Sequence, residues 1–246
     1  LEALLDGRVR VVAFPHCSNI VAEINDVAAI CAAVRAAGAV SCVDGVSYAP
    51  HGLPDVAALG ADIYLFSTYK TYGPHQGIMV TRNGIERALP NQGHFFNADH
   101  AGMRLTPAGP DHAQIAACAG IADYMDALSA HHGGAVAHDL MRAREVEMLH
   151  PLLDWVSGRN DVRLLGPADA TRRAPTVALL HDARGEVLAG RLAEHGIMAG
   201  GGDFYAVRLL EAMGVDPAHG VLRVSAAHYT SDEDMAALLE ALEAVL

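Results

Sequence analysis

The sequence predicts an α/β protein: part of a large domain with a mostly parallel sheet, then a smaller C-terminal α+β domain. Three observations carry this. Through the first half of the 246 residues, short β-branched runs alternate with helical periodicity, and strand, helix and strand in quick succession imply crossover units around a parallel sheet. Long stretches with three-to-four apolar spacing fill the middle. Beyond them strands and helices mix without that alternation.

In chain order, "RVRVVAF" ends at Pro15 and reads as a buried strand. In "INDVAAICAAVRAAG", Ile24, Val27, Ala28, Cys31 and Val34 share one helical face and Gly38 stops the helix. Strand "AVSCVD", a short helix in "LPDVAALG", and strands "DIYLFS" and "GIMVT" follow. The middle comprises the amphipathic stretches "DHAQIAACAGIADYMDALSAHH" and "AVAHDLMRAREVEMLHPLLDWVSGR". "HHGG" lies between them, so the expected domains are 1–133 and 134–246. Strands "DVRLLG" and "TVALLHD", helix "GEVLAGRLAEHG", strand "GVLRVSAA" and helix "DEDMAALLEALEAVL" build the second. Opening at Leu1 almost directly on a strand, the chain reads as a fragment of something longer.

Composition excludes some functions. With 52% hydrophobic and 19% charged residues the chain reads as globular. A formal charge of −12 argues against a nucleic-acid partner. No apolar run reaches a membrane span and the start has no signal pattern. Cys17, Cys31, Cys42 and Cys118 show no CxxC spacing and sit in apolar segments, as expected of reduced thiols in a cytoplasmic protein.

Among 17 Lys and Arg, Lys70 in "LFSTYKTYGPHQG" is the sole lysine. A guanidinium stays protonated, whereas a desolvated ammonium readily becomes a nucleophilic amine. A lone amine therefore suggests Schiff-base chemistry; the plain alternative is a lysine that survived a bias toward Arg. In parallel sheets, ligands bind at the carboxyl ends of the strands, where Ser18, Asn19, Asp44, Ser67 and Lys70 fall. An Asp and a Lys at neighbouring strand ends suit pyridoxal phosphate: the lysine holds it as a Schiff base and the Asp keeps its ring nitrogen cationic. The other reading makes Asp44 a cap before Gly45 and Lys70 a solvated loop residue.

"PHCSNIVAEI", "VDGVSYAPHGLPDVAALGADIYLFSTYKTYGPHQGIM" and "RVSAAHYTSDEDM" resemble the class V aminotransferase family of fold type I pyridoxal-phosphate enzymes, most of all its cysteine-desulfurase-like branch. The resemblance extends over nearly the whole chain. It implies that Lys70 holds the cofactor and moves the Cα proton, and that Asp44 pairs with the pyridine nitrogen. Asn19 would lie beside the phenolic oxygen, and Ser67 would donate to the phosphate. Arg223 would clamp the substrate α-carboxylate; its plain alternative is an edge-strand charge. Ser47 stands at a cofactor-binding position where the family usually has Gln. His51 is placed near the cofactor, Tyr69 replaces a frequent His, and Gly109-Pro110 replaces a Gly-Thr pair that reaches the partner's phosphate. The family's N-terminal part is missing, so the site is expected to be incomplete here and completed in a homodimer.

The implied activity is pyridoxal-phosphate chemistry at Cα of a small-molecule amino acid, as a class V aminotransferase or, second, a cysteine desulfurase-like or other C–S or β-eliminating lyase. In desulfurases a loop cysteine of the small domain takes the sulfur; the corresponding "HGIMAGGGDFYA" has none, so no persulfide is expected on the protein. Cys17 reads as a buried structural thiol. A rival reading gathers the Pro-His residues His16, His51 and His75 with Asp44 around Zn²⁺ or Fe²⁺. They are far apart in sequence and share no element, so no metal is expected. A third reading is a non-catalytic assembly domain.

Overall fold

Three short β-branched runs become the parallel strands β1 (Val11–Pro15), β2 (Val40–Asp44) and β3 (Ile63–Ser67) of a computed structural model that describes residues 1–106 and 109–246. β4 (Gly77–Thr81) returns antiparallel to β3, giving the order β1-β2-β3-β4. Both crossovers between the parallel strands carry helices. α1 (Val27–Ala36) starts where Asp26 accepts from the Ala29 amide, and it buries Val27, Cys31 and Val34. α2 (Val56–Leu59) is capped likewise by Asp55. Val27 and Cys31 pack with Val43, Ala61 and Tyr64 to form the core of this sheet. Asp62 is buried behind β2, where Ser41 N donates at 2.9 Å and Arg82 Nε at 2.6 Å. Burial opposes its ionisation, but these donors outweigh it and hold the carboxyl below its usual value. α3 (Ile85–Ala88), α4 (His112–Ala117) and α5 (Ala119–His131) complete the region. The last two lie on a stretch expected to be a single helix, interrupted at Cys118.

α6 (Ala137–Ser157) leads into a second sheet, made of β5 (Arg163–Leu165), β6 (Thr176–Leu180), β7 (Gly200–Gly202) and β8 (Val221–Ser225) in the order β5-β6-β8-β7, every pair antiparallel. α7 (Gly185–Glu194), α8 (Val207–Ala212) and α9 (Asp232–Val245) accompany it. Leu149, Leu152, Leu188, Leu192, Leu222 and Leu242 are central to its core. A capping box between Ser231 and Asp234 starts α9. Sequence periodicity misses β7 because three glycines carry no apolar signal and glycine is depleted in strands.

The chain divides into two compact units, Leu1–His16 with Asn25–His138, and Cys17–Ile24 with Asp139–Leu246. The division follows His138; the sequence places it at 133/134. Cys17–Ile24 joins the second unit because its backbone is bonded there. Ala174 N donates to Ala22 O at 3.0 Å and Ile24 N to Arg172 O at 3.0 Å. Ile20 and Val21 pack with Leu165, Leu210 and Val221. Among the described residues no helix is long and apolar enough to cross a membrane. The expected fold class, α/β with a mostly parallel partial sheet followed by a smaller α+β region, is what the chain adopts.

Candidate functional site

In the first unit, main-chain bonds hold the carboxyl ends of the strands together: His16 N donates to Asp44 O at 2.8 Å and Gly45 N to Leu65 O at 2.7 Å. Asp44 closes β2 with its carboxylate exposed. Oδ1 accepts from Val46 N at 2.9 Å, a local turn bond and not a helix cap, since the next helical turn starts after Tyr48 with no side-chain cap; the other oxygen takes no hydrogen bond from the described residues. Gly45 is required by its neighbour, since a Cβ there would stand 2.2 Å from the Tyr64 ring. The Tyr64 hydroxyl lies 2.9 Å from His16 Nδ1, and His16 stacks on Tyr48 with centroids 3.7 Å apart. Burial, and then the neighbouring His138, pulls the His16 pKa down to about 4, so the ring is neutral at pH 7. His75 stacks on Tyr69. Among the described residues no three His, Cys, Asp or Glu side chains converge as a metal site.

After β3 the backbone tightens into a single 3-10 turn, Thr68–Lys70. Thr68 is buried, with its hydroxyl 2.5 Å from Pro74 O and 3.0 Å from Gln76 O, while Thr71 Oγ donates to Ser67 O at 3.0 Å. These bonds fix the turn and leave Lys70 exposed at its end. Ser67 Oγ is buried with no hydrogen-bond partner among the described residues, a condition that costs about 1–3 kcal/mol unless an acceptor arrives. Ser47 and His51 belong to the turn that follows Asp44, where Tyr48 N and Ala49 N donate to Gly45 O and His51 N to Tyr48 O. Tyr72 donates its hydroxyl to Pro50 O at 2.6 Å, tying that turn to the lysine loop. Asp44, Ser47, His51, Ser67 and Lys70 thus lie along one edge of one sheet. An amine, a carboxylate and an unsatisfied hydroxyl donor fit a cofactor that carries a carbonyl, a ring nitrogen and a phosphate.

The remaining candidates, Asn19 and Arg223, lie in the second unit. Arg223 comes from the middle of β8 and donates from Nη1 to Asn19 O at 3.0 Å. Its Cζ stands 3.9 Å from the centroid of the Phe204 ring. Asn19 Nδ2 donates to Phe204 O at 2.9 Å. No carboxylate among the described residues pairs with Arg223, and burial draws its pKa below the ordinary value. A half-buried guanidinium without an acid is suited to an anion from outside. Sequence reading missed Phe204, whose only signal is an aromatic directly after "GGGD".

Cys17 is not placed for nucleophilic work. Cys17 Sγ donates to Ala22 O at 3.2 Å, and burial pushes its pKa up to about 12. Cys118 Sγ donates to Gln114 O within the helical segment. The replacement Gly109-Pro110 is among the described residues, whereas the adjoining Pro107 and Ala108 lie outside them.

Comparison with known proteins bears on the family and the fold. The chain is 33% identical over 254 residues to "Aminotransferase-like protein FGM3" of Gibberella zeae and 31% identical to a "Probable cysteine desulfurase" of Pseudomonas putida. Essentially all of this chain is matched, but it spans only 61% and 59% of those relatives' lengths. In fold it is similar to the crystal structure of the cysteine desulfurase CsdA from Escherichia coli, with a TM-score of 0.83 at 24% identity, covering 99% of this chain and 60% of that one. The apo cysteine desulfurase from Thermococcus onnurineus gives 0.84 at 22% identity, covering 99% and 62%. These neighbours have the fold type I architecture of pyridoxal-phosphate enzymes. The profile of the family described as aminotransferase class-V matches residues 1–238, and the chain belongs to that family.

Proposed function

We propose that the protein is a pyridoxal-phosphate-dependent enzyme acting at Cα of an amino acid. The observation that carries the proposal is the buried, partnerless hydroxyl of Ser67, three residues before the sole lysine and on the same sheet edge as Asp44. When bound, the cofactor would act as an electron sink for a carbanion at Cα. Lys70 would hold the cofactor covalently and, once displaced, carry the Cα proton. Asp44 would keep the ring nitrogen protonated through its free oxygen, Ser67 would donate to the phosphate, and Ser47 and His51 would be further cofactor-binding residues. Asn19 spends one N–H on Phe204 O and, as the resemblance implies, would offer its second to the phenolic oxygen. Arg223 would take the substrate carboxylate.

Within that chemistry a lyase is favoured over a transferase, because more of the relatives and structural neighbours carry the name cysteine desulfurase. The class V aminotransferase is the second reading, favoured by the "Aminotransferase-like" relative. Residues 195–206 contain no cysteine and Cys17 is an inert buried thiol, so sulfur would leave without a persulfide on the protein. We further propose that the protein works as a homodimer in the cytoplasm, its site completed by the partner.

Borohydride reduction followed by peptide mapping is expected to find a pyridoxyl adduct on Lys70. An adduct elsewhere, or none in a yellow protein, would sink the assignment. An amino-acid panel, with and without an oxo-acid acceptor and assayed for sulfide and pyruvate, separates lyase from transferase. Persulfide tagging at the rate of turnover would restore the thiol mechanism.

A further inference from the structure

We propose that Phe204 is a positioning residue for Arg223: its ring holds the guanidinium plane so that one fork of N–H groups stays free for a carboxylate approaching in that plane. The inference rests on the reading of Arg223 as the carboxylate receptor.

The guanidinium has two faces and three hydrogen-bonding edges. One face lies against the Phe204 ring, with Cζ 3.9 Å from the centroid. Nη1 is committed to Asn19 O at 3.0 Å. Nε and Nη2 make no hydrogen bond to the described residues, and together they form the side fork that matches the two oxygens of a carboxylate. Stacking on an aromatic face and bonding in the plane do not compete, because they use different directions of the same group. The ring also excludes water from one face, which strengthens the remaining contacts.

Three further features support this arrangement. Gly200 on β7 makes room for the ring, since a Cβ at that position would come within 2.8 Å of it. Phe204 and Tyr205 both adopt left-handed backbone, with φ of +50° and +62°, a region costly for residues that bear side chains. The turn is held by Asp203, whose Oδ1 accepts from Tyr205 N at 3.0 Å and whose carbonyl accepts from Ala206 N at 2.9 Å. Tyr205 itself is fully exposed, so the turn is not there to bury it. Its other consequence is to aim the Phe204 carbonyl at Asn19 Nδ2 and the Phe204 ring at Arg223. Asn19, Phe204 and Arg223 thereby form one closed set in which each touches the other two.

The test uses propionate as a carboxylate probe and propionamide as its neutral control, titrated into the full-length protein while following the arginine Nε–H resonances. In the wild type the Arg223 signal is expected to carry the ring shift of a stacked aromatic and to respond to propionate but not to propionamide. Phe204→Leu should remove the ring shift and weaken propionate about tenfold, Phe204→Tyr should restore both, and Gly200→Ala, by pushing the ring, should resemble the leucine variant. With substrate, the leucine variant should raise KM while leaving kcat within about twofold, as loss of uniform binding does. Wild-type propionate affinity in Phe204→Leu, equal loss in the leucine and tyrosine variants, or no propionate binding by the wild type would each overturn the proposal. Absence of cofactor absorbance from a wild type that does bind propionate would refute the pyridoxal-phosphate reading and leave the role of Phe204 standing.

Discussion

The strand-end edge of the first unit and the arginine fork of the second are held by different means. Along the edge, Asp44, Ser67 and Lys70 are positioned by backbone: parallel register, the bond from Gly45 N to Leu65 O, and a 3-10 turn locked through Thr68 and Thr71. Their own side chains make few bonds, which leaves them available for chemistry. Arg223 and Asn19 are positioned by side-chain and carbonyl contacts converging on Phe204. A group held by topology tolerates changes in its neighbours and is sensitive only at the backbone. A group held by packing fails when a single ring is trimmed.

The sharpest way to break this comparison is to remove one functional group from each side. Lys70→Ala is expected to lower turnover by about 10³-fold, the range for losing a positioned acid–base group, while propionate affinity at Arg223 stays unchanged. Arg223→Gln should abolish propionate binding and leave the pyridoxyl adduct on Lys70 intact. If either variant disables both readouts, the two sets are not independently built.

Acid should act on the first unit before the second. The folded chain keeps His16 neutral down to about pH 4, whereas unfolded it protonates near 6.5. Between those values protons bind preferentially to the unfolded chain. Its contribution is therefore complete above pH 6.5 and lost as the pH falls toward 4, by on the order of 3 kcal/mol. Urea midpoints at pH 7 and pH 4.5 should show the loss, and His16→Gln should shrink the difference between them. An undiminished difference in that variant would assign the acid sensitivity elsewhere.

Gly45→Ala drives a methyl into the Tyr64 ring and is expected to cost about 1–3 kcal/mol, as overpacking does, read as a lower denaturation midpoint. A wild-type midpoint would mean that the ring has room to move. The smallest effect expected is from Ser67→Ala. Without cofactor it should raise stability by about 1 kcal/mol, the low end of the cost of a buried unsatisfied hydroxyl. With cofactor present it should weaken binding about tenfold. Destabilisation of the cofactor-free protein by this variant would show that the hydroxyl already has a partner.

The sequence by itself determined the strand ends and what they carry. β-branched runs closed by Asp44 and Ser67, the sole lysine at Lys70, and Arg223 within "LRVSAA" were legible because strand period and residue chemistry are local properties. The class V family and its fold followed from the same stretches. Tertiary structure alone decided the rest. The helix face of Cys31 and the sheet face of Tyr64 could be paired only once β2 and β3 lay side by side. That Cys17–Ile24 belongs with the second unit depends on bonds to residues about 150 positions away. β7 is invisible to hydrophobic periodicity because glycine has no side chain to be counted. For the same reason, the room that Gly200 leaves for Phe204, and with it the aromatic floor under Arg223, exists only after residues distant in sequence have been brought into contact.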